Sequence, residues 1–287
     1  MLEFFLSLHL FMVPLENINH QLIINSSEQE IRKIELAKYE LSYLNSYFIN
    51  NKELGSLSNK INEDIYKAPV NATLNKKGEI NKEKLGIGLD RHKFQLLFLK
   101  SFYSGKTTTI EIPTKKVYPH VDTELLSEIK ENKIGHYVTY YKKSNKERTH
   151  NIKLAAAAIN NSVVFPGATF SFNKVVGKRT KERGYKRAPV IVKGEIAEDI
   201  GGGICQVSST LYNAVSLKGV QIVERYSHSR SVPYVPPGKD ATVSWWGPDF
   251  VFKNIYNQPI LIRAKSFEGK MEIGIFSSSS TEIYKGE

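Results

Sequence analysis

The stretch Glu198-Asp199-Ile200-Gly201-Gly202-Gly203-Ile204-Cys205-Gln206-Val207-Ser208-Ser209-Thr210-Leu211-Tyr212 organises the second half of the chain. Three consecutive glycines lead into the only cysteine of the protein. Apolar residues then recur at three- and four-residue spacing, at Val207, Leu211, Ala214 and Val215. This spacing predicts a helix that begins near the cysteine, and Gly219 is the residue we expect to end it.

The predicted helix puts Cys205 in its first turn. The positive end of the helix dipole favours a thiolate at that position. Gly202 and Gly203 let a ligand approach the backbone closely and leave N–H groups free to face an anion. Two interpretations stay open at this point: a nucleophile with its oxyanion site, or a small buried residue beside a tight turn.

The composition is that of a globular protein. The chain has 287 residues, 41% hydrophobic and 24% charged, so it is long enough to bury a sizeable core and is not disordered throughout. Lys and Arg number 40 against 29 Asp and Glu, and the formal net charge of +11 favours anionic surroundings such as nucleic acid, acidic lipid or wall polymer. One cysteine excludes an intrachain disulfide and a multi-cysteine zinc site.

Motifs for cofactors are absent from the sequence. No phosphate-loop, dinucleotide-binding or zinc-finger spacing occurs, so we predict no cofactor, no metal and no nucleic-acid partner despite the charge.

Residues 1–20 contain an apolar run of roughly a dozen residues, too short to span a bilayer. The run is similar to the apolar region of a secretion signal, although no Lys or Arg precedes it and no small-residue cleavage site follows it. We interpret it as a signal or its remnant, the alternative being a core strand or helix. Membrane contact is predicted only through this segment. The predicted location is extracytoplasmic, at the wall or membrane, and the atypical leader leaves the cytoplasm as the alternative.

Residues 21–130 are predicted to form a small module. A short strand at 21–25 is followed by helical spacing from about Ser26 to Phe48. Further helices are predicted at 53–65, 90–102 and 123–129, and strands at 66–74 and 107–112. Strands and helices in succession predict a small α/β module of roughly 100 residues.

Residues 131–287 are predicted to form a second domain. The polar, basic run 141–150 is expected to be a junction or long loop, and 154–159 a central helix of small residues. Strands are predicted at 190–192, 220–230, 240–246, 250–254, 260–264 and 271–276. The predicted fold class is α+β: a small α/β N-terminal module followed by a C-terminal domain of helices packed on a mostly antiparallel sheet.

Cys205, His228 and Asp240 stand in an order that thiol enzymes use. A thiol nucleophile needs a base within hydrogen-bond reach and benefits from a carboxylate that orients this base. A helix followed by two adjacent antiparallel strands can supply that geometry, as in transglutaminase-like and papain-like folds. A catalytic triad, a non-catalytic binding cleft and a purely structural role all remain open.

Other polar groups near the cysteine are candidates for substrate contacts. Gln206 and the N–H groups near Gly203 could polarise a carbonyl group. Ser208 and Ser209 offer further hydrogen-bond donors. Arg230, two residues after His228, is a further candidate for substrate binding.

The segment from Lys178 to Arg187 is the densest cationic segment of the chain. It is interpreted either as a solvated loop or as a docking surface for an anionic partner. In the second interpretation Arg183 contributes charge and Tyr185 contributes a ring for stacking or sugar contact.

The second portion of the chain carries a series of strings in a fixed order. They are Arg148-Thr149-His150-Asn151-Ile152, Phe165-Pro166-Gly167, Phe170-Ser171-Phe172-Asn173, Gly184-Tyr185, Ala188-Pro189-Val190-Ile191, Gly201 to Ala214, Ile222-Val223-Glu224-Arg225, His228-Ser229-Arg230, Tyr234-Val235-Pro236, Asp240-Ala241-Thr242-Val243 and Pro248-Asp249-Phe250. Over residues 135–277 these strings resemble the VanW family, which is named for an accessory protein of vancomycin-resistance clusters.

Residues 50–115 resemble the peptidoglycan-binding domain that often precedes VanW, through Pro69-Val70-Asn71-Ala72 and Gly78. The two resemblances imply a Gram-positive envelope protein whose partner is peptidoglycan or an anionic wall polymer. They do not imply a reaction. We therefore expect either a thiol amidohydrolase or transpeptidase acting on stem peptides through Cys205, or a module that binds wall material without turnover.

Overall fold

The structure is a computed structural model that describes residues 20–26, 29–41, 48–192 and 195–282. The described residues divide into two compact units, one formed by those up to 71 together with 84–120 and the other by 72–83 together with those from 121 onward. Residues 1–19 of the predicted leader lie outside the described part. The predicted boundary between residues 130 and 131 falls within the second unit, and the predicted domain assignments stay predictions.

The elements are named in chain order. The strands are β1 (Gln21–Ser26), β2 (Gln29–Glu35), β3 (Thr73–Leu74), β4 (Ile80–Asn81), β5 (Gly86–Leu89), β6 (Thr108–Glu111), β7 (Thr114–Val117), β8 (Asn132–Tyr140), β9 (Ser162–Val164), β10 (Thr169–Ser171), β11 (Arg187–Val192), β12 (Glu195–Ile200), β13 (Val220–Glu224), β14 (Val251–Asn254), β15 (Ile260–Phe267) and β16 (Lys270–Ser277). The helices are α1 (Asn51–Ile65), α2 (Arg91–Phe102), α3 (Thr123–Ile129), α4 (Lys146–Ile159), α5 (Phe172–Val176) and α6 (Ile204–Ala214), with a 3-10 helix at Leu36–Tyr39.

The first unit is built around β1, which pairs antiparallel with β2 and parallel with β6. Helix α2 packs on β1 through three buried aromatic residues at four-residue spacing, Phe94, Phe98 and Phe102. This spacing places all three rings on one face of the helix, so that they share a core with the apolar residues of β1.

The helix predicted from Ser26 to Phe48 is wrong between residues 29 and 35, where the chain forms β2. Ile31 is exposed and Ile34 is buried, so the apolar spacing that indicated one helical face does not define one face of the folded chain. Pairing with β1 decides the conformation, because strand preference depends on cross-strand neighbours more than on the residues themselves.

The second unit contains a four-stranded antiparallel sheet in the order β8-β16-β15-β9. Helices α4 and α6 pack on this sheet and against each other. A second antiparallel sheet has the order β10-β14-β13, and β11 with β12 forms a hairpin that leads into α6. The predicted α+β class, with helices on a mostly antiparallel sheet, is confirmed.

Helix α6 begins where the sequence predicted, but Gly219 does not end it. The helix ends at Ala214, and a Cβ at Gly219 would lie 2.2 Å from the Tyr256 ring, so this glycine permits close packing instead. Helix α4 begins earlier than expected because the side chain of Asn145 accepts the N–H of Arg148 and caps it. The second half of the predicted loop at 141–150 is therefore helical.

The strand predicted at 240–246 is wrong. A single bridge joins Thr242 to Tyr226 there, and the rest of the segment is irregular. Asp240 consequently does not open a strand. Side-chain to backbone hydrogen bonds, which the pattern of apolar residues cannot show, hold this segment in place.

Candidate functional site

Cys205 is the second residue of α6, and a glycine makes its position possible. Gly203, the N-cap, has φ of +103°, a left-handed conformation that strains residues with a side chain. The sulfur of Cys205 lies 3.5 Å from the carbonyl oxygen of Val243 and 3.8 Å from Oγ1 of Thr242. The thiol thus lies between the first turn of α6 and the irregular 240s segment.

His228 is held by Asp240 through two hydrogen bonds. The backbone N–H and Nδ1 of His228 both lie 2.6 Å from Oδ2 of Asp240. Arg225 supports the carboxylate, because its Nε donates to the Asp240 carbonyl oxygen at 2.7 Å and its Nη2 lies 3.7 Å from Oδ1. With Nδ1 engaged, Nε2 is the ring nitrogen left for a second partner.

The Cys205 thiol and the His228 imidazole interact directly. Burial alone would raise the pKa of Cys205, but the hydrogen bond and charge of His228 outweigh burial and lower it. Burial opposes protonation of His228, whereas the hydrogen bonds and charges of Cys205 and Asp240 raise its pKa. These shifts favour a thiolate–imidazolium pair.

The Asp240 carboxylate stays ionised. Burial would raise the pKa of Asp240, but the hydrogen bonds from the backbone and ring of His228 lower it. A charged Asp240 in turn stabilises a protonated His228.

Cys205 and His228 both line a cleft of about 1030 Å³. Tyr140 and Trp246 add strongly exposed rings to its lining, and Trp246 is 84% exposed. The chain positions this ring through Asn173, whose Nδ2 donates to the carbonyl oxygens of Ser244 and Pro248 on either side of the tryptophan pair. Cys205 and His228, two of the three residues predicted from sequence order, therefore meet at the cleft, and the third, Asp240, is buried and holds His228.

Ser208 and Ser209 are not available to a ligand. Both are fully buried, and their hydroxyl groups bond to backbone atoms. Oγ of Ser208 donates to the carbonyl oxygen of Ala241 at 2.6 Å, while Oγ of Ser209 accepts the Ala241 N–H at 2.9 Å. These bonds fasten the residue after Asp240 to α6, so the two serines position the carboxylate.

Gln206 is also fully engaged within the protein. Its Oε1 accepts from Nη2 of Arg148 at 2.6 Å, and its Nε2 donates to Oγ1 of Thr139 and to the Tyr140 carbonyl oxygen, each at 3.0 Å. The side chain is 1% exposed. Gln206 therefore links α6 to β8 and to Arg148, and its amide does not act as a donor facing the cleft.

Gly202 lies against the β11–β12 hairpin. A Cβ at this position would lie 2.4 Å from the carbonyl oxygen of Ala188 and 2.7 Å from that of Pro189. Asn151 reinforces this contact by donating to the Gly202 carbonyl oxygen at 3.0 Å. Gly202 thus serves close backbone packing that sets where α6 begins.

We expect Gly202→Ala to lower the free energy of unfolding of the second unit by about 3 kcal/mol, because the new methyl group would overlap rigid backbone atoms. The measurement is urea unfolding. Gly167→Ala is the control, since Gly167 has a left-handed φ of +72° and no atom within 4 Å of an added Cβ. Its cost should be only about 1 kcal/mol. Equal costs for the two variants would contradict the packing role.

The remaining predicted contacts are not brought to the cleft. Tyr185 is 4% exposed and belongs to the core of the second unit, so its ring is not offered for stacking. Arg183 is exposed, and its Nη1 donates to the Lys178 carbonyl oxygen at 2.9 Å. Neither Arg183 nor Arg230 lines the cleft. Their predicted roles in substrate binding stay predictions.

The sequence analysis missed several residues that line the cleft with Cys205. They are Arg148, Arg179, Tyr234, Trp245 and Trp246. Arg148 could have been found from its spacing, because it precedes Ile152 by four residues and Ala155 by seven on the buried face of α4. Arg179 lies in the cationic segment, and no feature of the local sequence distinguishes it from its exposed neighbours.

Within the described ranges, no group of three or more His, Cys, Asp and Glu side chains is arranged to hold a metal ion. In the same part of the chain, no helix has the length and apolar character needed to cross a membrane.

Comparison with known proteins supports a single family. The fold and the site define an α+β protein with a Cys–His–Asp arrangement at an open cleft. The sequence profile described as VanW like protein matches residues 147–276, and the chain belongs to the VanW family. No match to a solved structure was found.

Two relatives illustrate the relationship. The chain is 57% identical over 219 residues to the uncharacterized protein YoaR of Bacillus subtilis, covering 76% of this chain and 72% of that protein. It is 31% identical over 112 residues to the vancomycin B-type resistance protein VanW of Enterococcus faecalis, covering 37% of this chain and 41% of that protein.

Proposed function

We propose that this protein acts in the cell envelope and that its cleft carries out thiol-dependent acyl transfer on an amide of a peptidoglycan stem peptide. Membership of the VanW family supports the location, since one relative is named for vancomycin B-type resistance. The reaction is either hydrolysis or transpeptidation, according to whether water or an amine accepts the acyl group.

The single observation that carries the proposal is the connected set formed by Cys205 and His228 at the cleft wall and the buried Asp240 that holds His228. A cysteine with a purely structural role does not require a neighbouring imidazole whose Nδ1 is bonded to the buried Asp240 carboxylate. A thiol nucleophile needs this arrangement, because the thiolate must exist at neutral pH and the leaving amine must receive a proton.

The steps follow from the positions of these groups. The Cys205 thiolate forms a bond to the amide carbon, and the carbonyl π electrons move to oxygen. The oxyanion then collapses, the C–N bond breaks, and the His228 imidazolium gives its proton to the departing nitrogen, leaving a thioester. Neutral His228 next removes a proton from water or an acceptor amine, which attacks the thioester and releases Cys205 as a thiolate.

Charge near the sulfur supports these steps. Arg148 and Arg179 both line the cleft and both interact electrostatically with Cys205. The first-turn N–H of Cys205 has no carbonyl acceptor within its own helix and is suited to an oxyanion. Burial and the charge of Cys205 raise the pKa of Tyr234 well above its ordinary value, so its phenol stays protonated and able to donate.

A second candidate is a module that binds wall peptide or glycan without turnover. The exposed rings of Trp245 and Trp246 favour it, because large exposed apolar groups beside a cleft mark binding surfaces. Lys178 places its Nζ 5.1 Å from the Trp246 ring centroid. In either case, the exposed cations between Lys178 and Arg187 would attract anionic wall polymer.

The test is incubation of the wild-type protein and Cys205→Ala with purified muropeptides, followed by mass spectrometry of products and of the protein. Turnover by the wild type and binding without turnover by Cys205→Ala are the results expected of the enzyme. Equal binding by both proteins, with no product and no thioester from either, would favour the binding module.

A further inference from the structure

Arg179 is a largely buried cation whose terminal nitrogens form no hydrogen bond with the described part of the chain. Among the described residues, neither Nη1 nor Nη2 has a hydrogen-bond partner, although both are shielded from solvent. None of the ion pairs in the described part of the chain includes Arg179. Leaving a buried guanidinium without acceptors costs several kcal/mol. A bound ligand that supplies the acceptors would offset this cost.

The carboxylate whose charge acts on Arg179 is already committed to other hydrogen bonds. Asp249 interacts electrostatically with Arg179, but its carboxylate accepts from Oγ of Ser171 at 2.5 Å and from the N–H groups of Asn173 and Phe250 at 2.8 and 2.7 Å. Asp249 therefore serves to cap α5 and does not neutralise the guanidinium.

Few directional contacts hold the guanidinium in place. Its central carbon lies 5.8 Å from the Phe172 ring centroid, a cation–π contact worth about 0.5–2 kcal/mol. No hydrogen bond from the described residues fixes the two terminal nitrogens. Turning the guanidinium from Phe172 towards the cleft, which Arg179 lines, therefore breaks the cation–π contact but no hydrogen bond of the terminal nitrogens.

We propose that Arg179 binds a substrate carboxylate, in a subsite of the cleft beside Cys205. This inference rests on the proposed function for the identity of the peptide, and it specifies a free carboxyl group close to the amide that reacts. The planar fork of a guanidinium matches the two oxygens of a carboxylate. Arg148, which also lines the cleft, adds charge but has Nη2 committed to Gln206.

The experiment compares calorimetric binding of two wall-type peptides that differ only in a C-terminal carboxylate or carboxamide. Wild type is expected to bind the carboxylate form about 10- to 100-fold more tightly. Arg179→Gln should lose this preference, and Arg91→Gln, the same change at an exposed arginine of the first unit, should keep it. Equal affinity of wild type for both peptides, a preference that persists in Arg179→Gln, or no binding of either peptide would each overturn the subsite.

A second readout separates a binding role from a structural one. Arg179→Met removes a buried charge that forms no ion pair among the described residues, so the ligand-free protein should have an unchanged or higher midpoint of urea unfolding. A clearly lower midpoint would show that Arg179 supports the fold and would overturn the inference.

Two comparisons make the remaining outcomes distinct. Displacement of the peptide by inorganic phosphate but not by acetate, at equal ionic strength, would assign the subsite to a phosphate and refute the carboxylate. Turnover of muropeptides is measured separately. A carboxylate preference without turnover would therefore uphold the subsite and count against the acyl-transfer reaction.

Discussion

Cys205→Ala is expected to lower kcat/KM for the proposed muropeptide substrate by about 10⁴-fold or more, because the variant has no atom that can form the thioester. The fold should tolerate the change. Apart from its interaction with His228, the sulfur makes only weak hydrogen bonds to the Thr242 hydroxyl and the Val243 carbonyl group, and the helix keeps its glycine N-cap. Circular dichroism and the midpoint of urea unfolding should remain close to those of the wild type.

The same prediction can be checked without knowing the substrate. Iodoacetamide should modify wild-type Cys205 at neutral pH faster than an ordinary thiol, because the thiolate is stabilised by His228. Ser216→Ala, an exposed change just beyond the end of α6, is the matched control and should leave the rate unchanged. A modification rate no faster than that of free cysteine would contradict an activated thiol.

Asp240→Asn is expected to reduce activity at neutral pH by about 10²- to 10⁴-fold. In the wild type the pKa of Cys205 is lowered and that of His228 is raised, so the ion pair exists at pH values between the two. Activity should rise with pH as Cys205 loses its proton and fall as His228 loses its own. Removing the Asp240 charge lowers the pKa of His228. A neutral His228 no longer stabilises the thiolate, so the pKa of Cys205 rises and the active range narrows from both sides.

The pH dependence of alkylation by iodoacetamide measures one side of this change. The pH at which Cys205 becomes reactive should move upward in Asp240→Asn. Asp199→Asn is the control, since Asp199 also lines the cleft but bonds to the N–H of Ile200 instead of His228. An identical shift in both variants would mean that general cleft charge, and not the contact with His228, governs the thiol.

Asp240 also links stability to pH. Its pKa is lowered in the folded protein, so the stabilisation that it contributes is fully present above its unfolded pKa. This contribution is lost as the pH falls through the folded pKa. Asp240→Asn should therefore flatten the acidic decline in the unfolding midpoint, relative to the wild type. An unchanged acidic decline would show that Asp240 has no net interaction in the folded state.

Local patterns predicted the elements that depend on local forces. The apolar spacing around Val207 and Leu211 located α6, and the apolar runs near the C-terminus located β14, β15 and β16. Burial follows directly from such spacing because one face of a helix or strand meets the core. At residues 29–35 the pattern misled, since antiparallel pairing with the preceding strand β1 decides the conformation and the apolar spacing within the segment does not record that pairing.

The members of the candidate site were predictable, but most of the roles around them were not. The order of Cys205, His228 and Asp240 indicated a thiol arrangement, yet the strand expected at Asp240 does not exist. Sequence types alone could not show that Ser208 and Ser209 point inward, since a serine is equally suited to bind a ligand or a buried carbonyl group.

By itself, the sequence determined that a cysteine begins a helix after a glycine turn, because backbone freedom and apolar periodicity are properties of neighbouring residues. Only the tertiary structure decided which polar groups face the cleft and which hold it together. It placed Gln206 and Tyr185 in the interior and left the two terminal nitrogens of Arg179 without a hydrogen-bond partner among the described residues. These outcomes depend on the desolvation and pairing of groups distant in the chain, which no local pattern records.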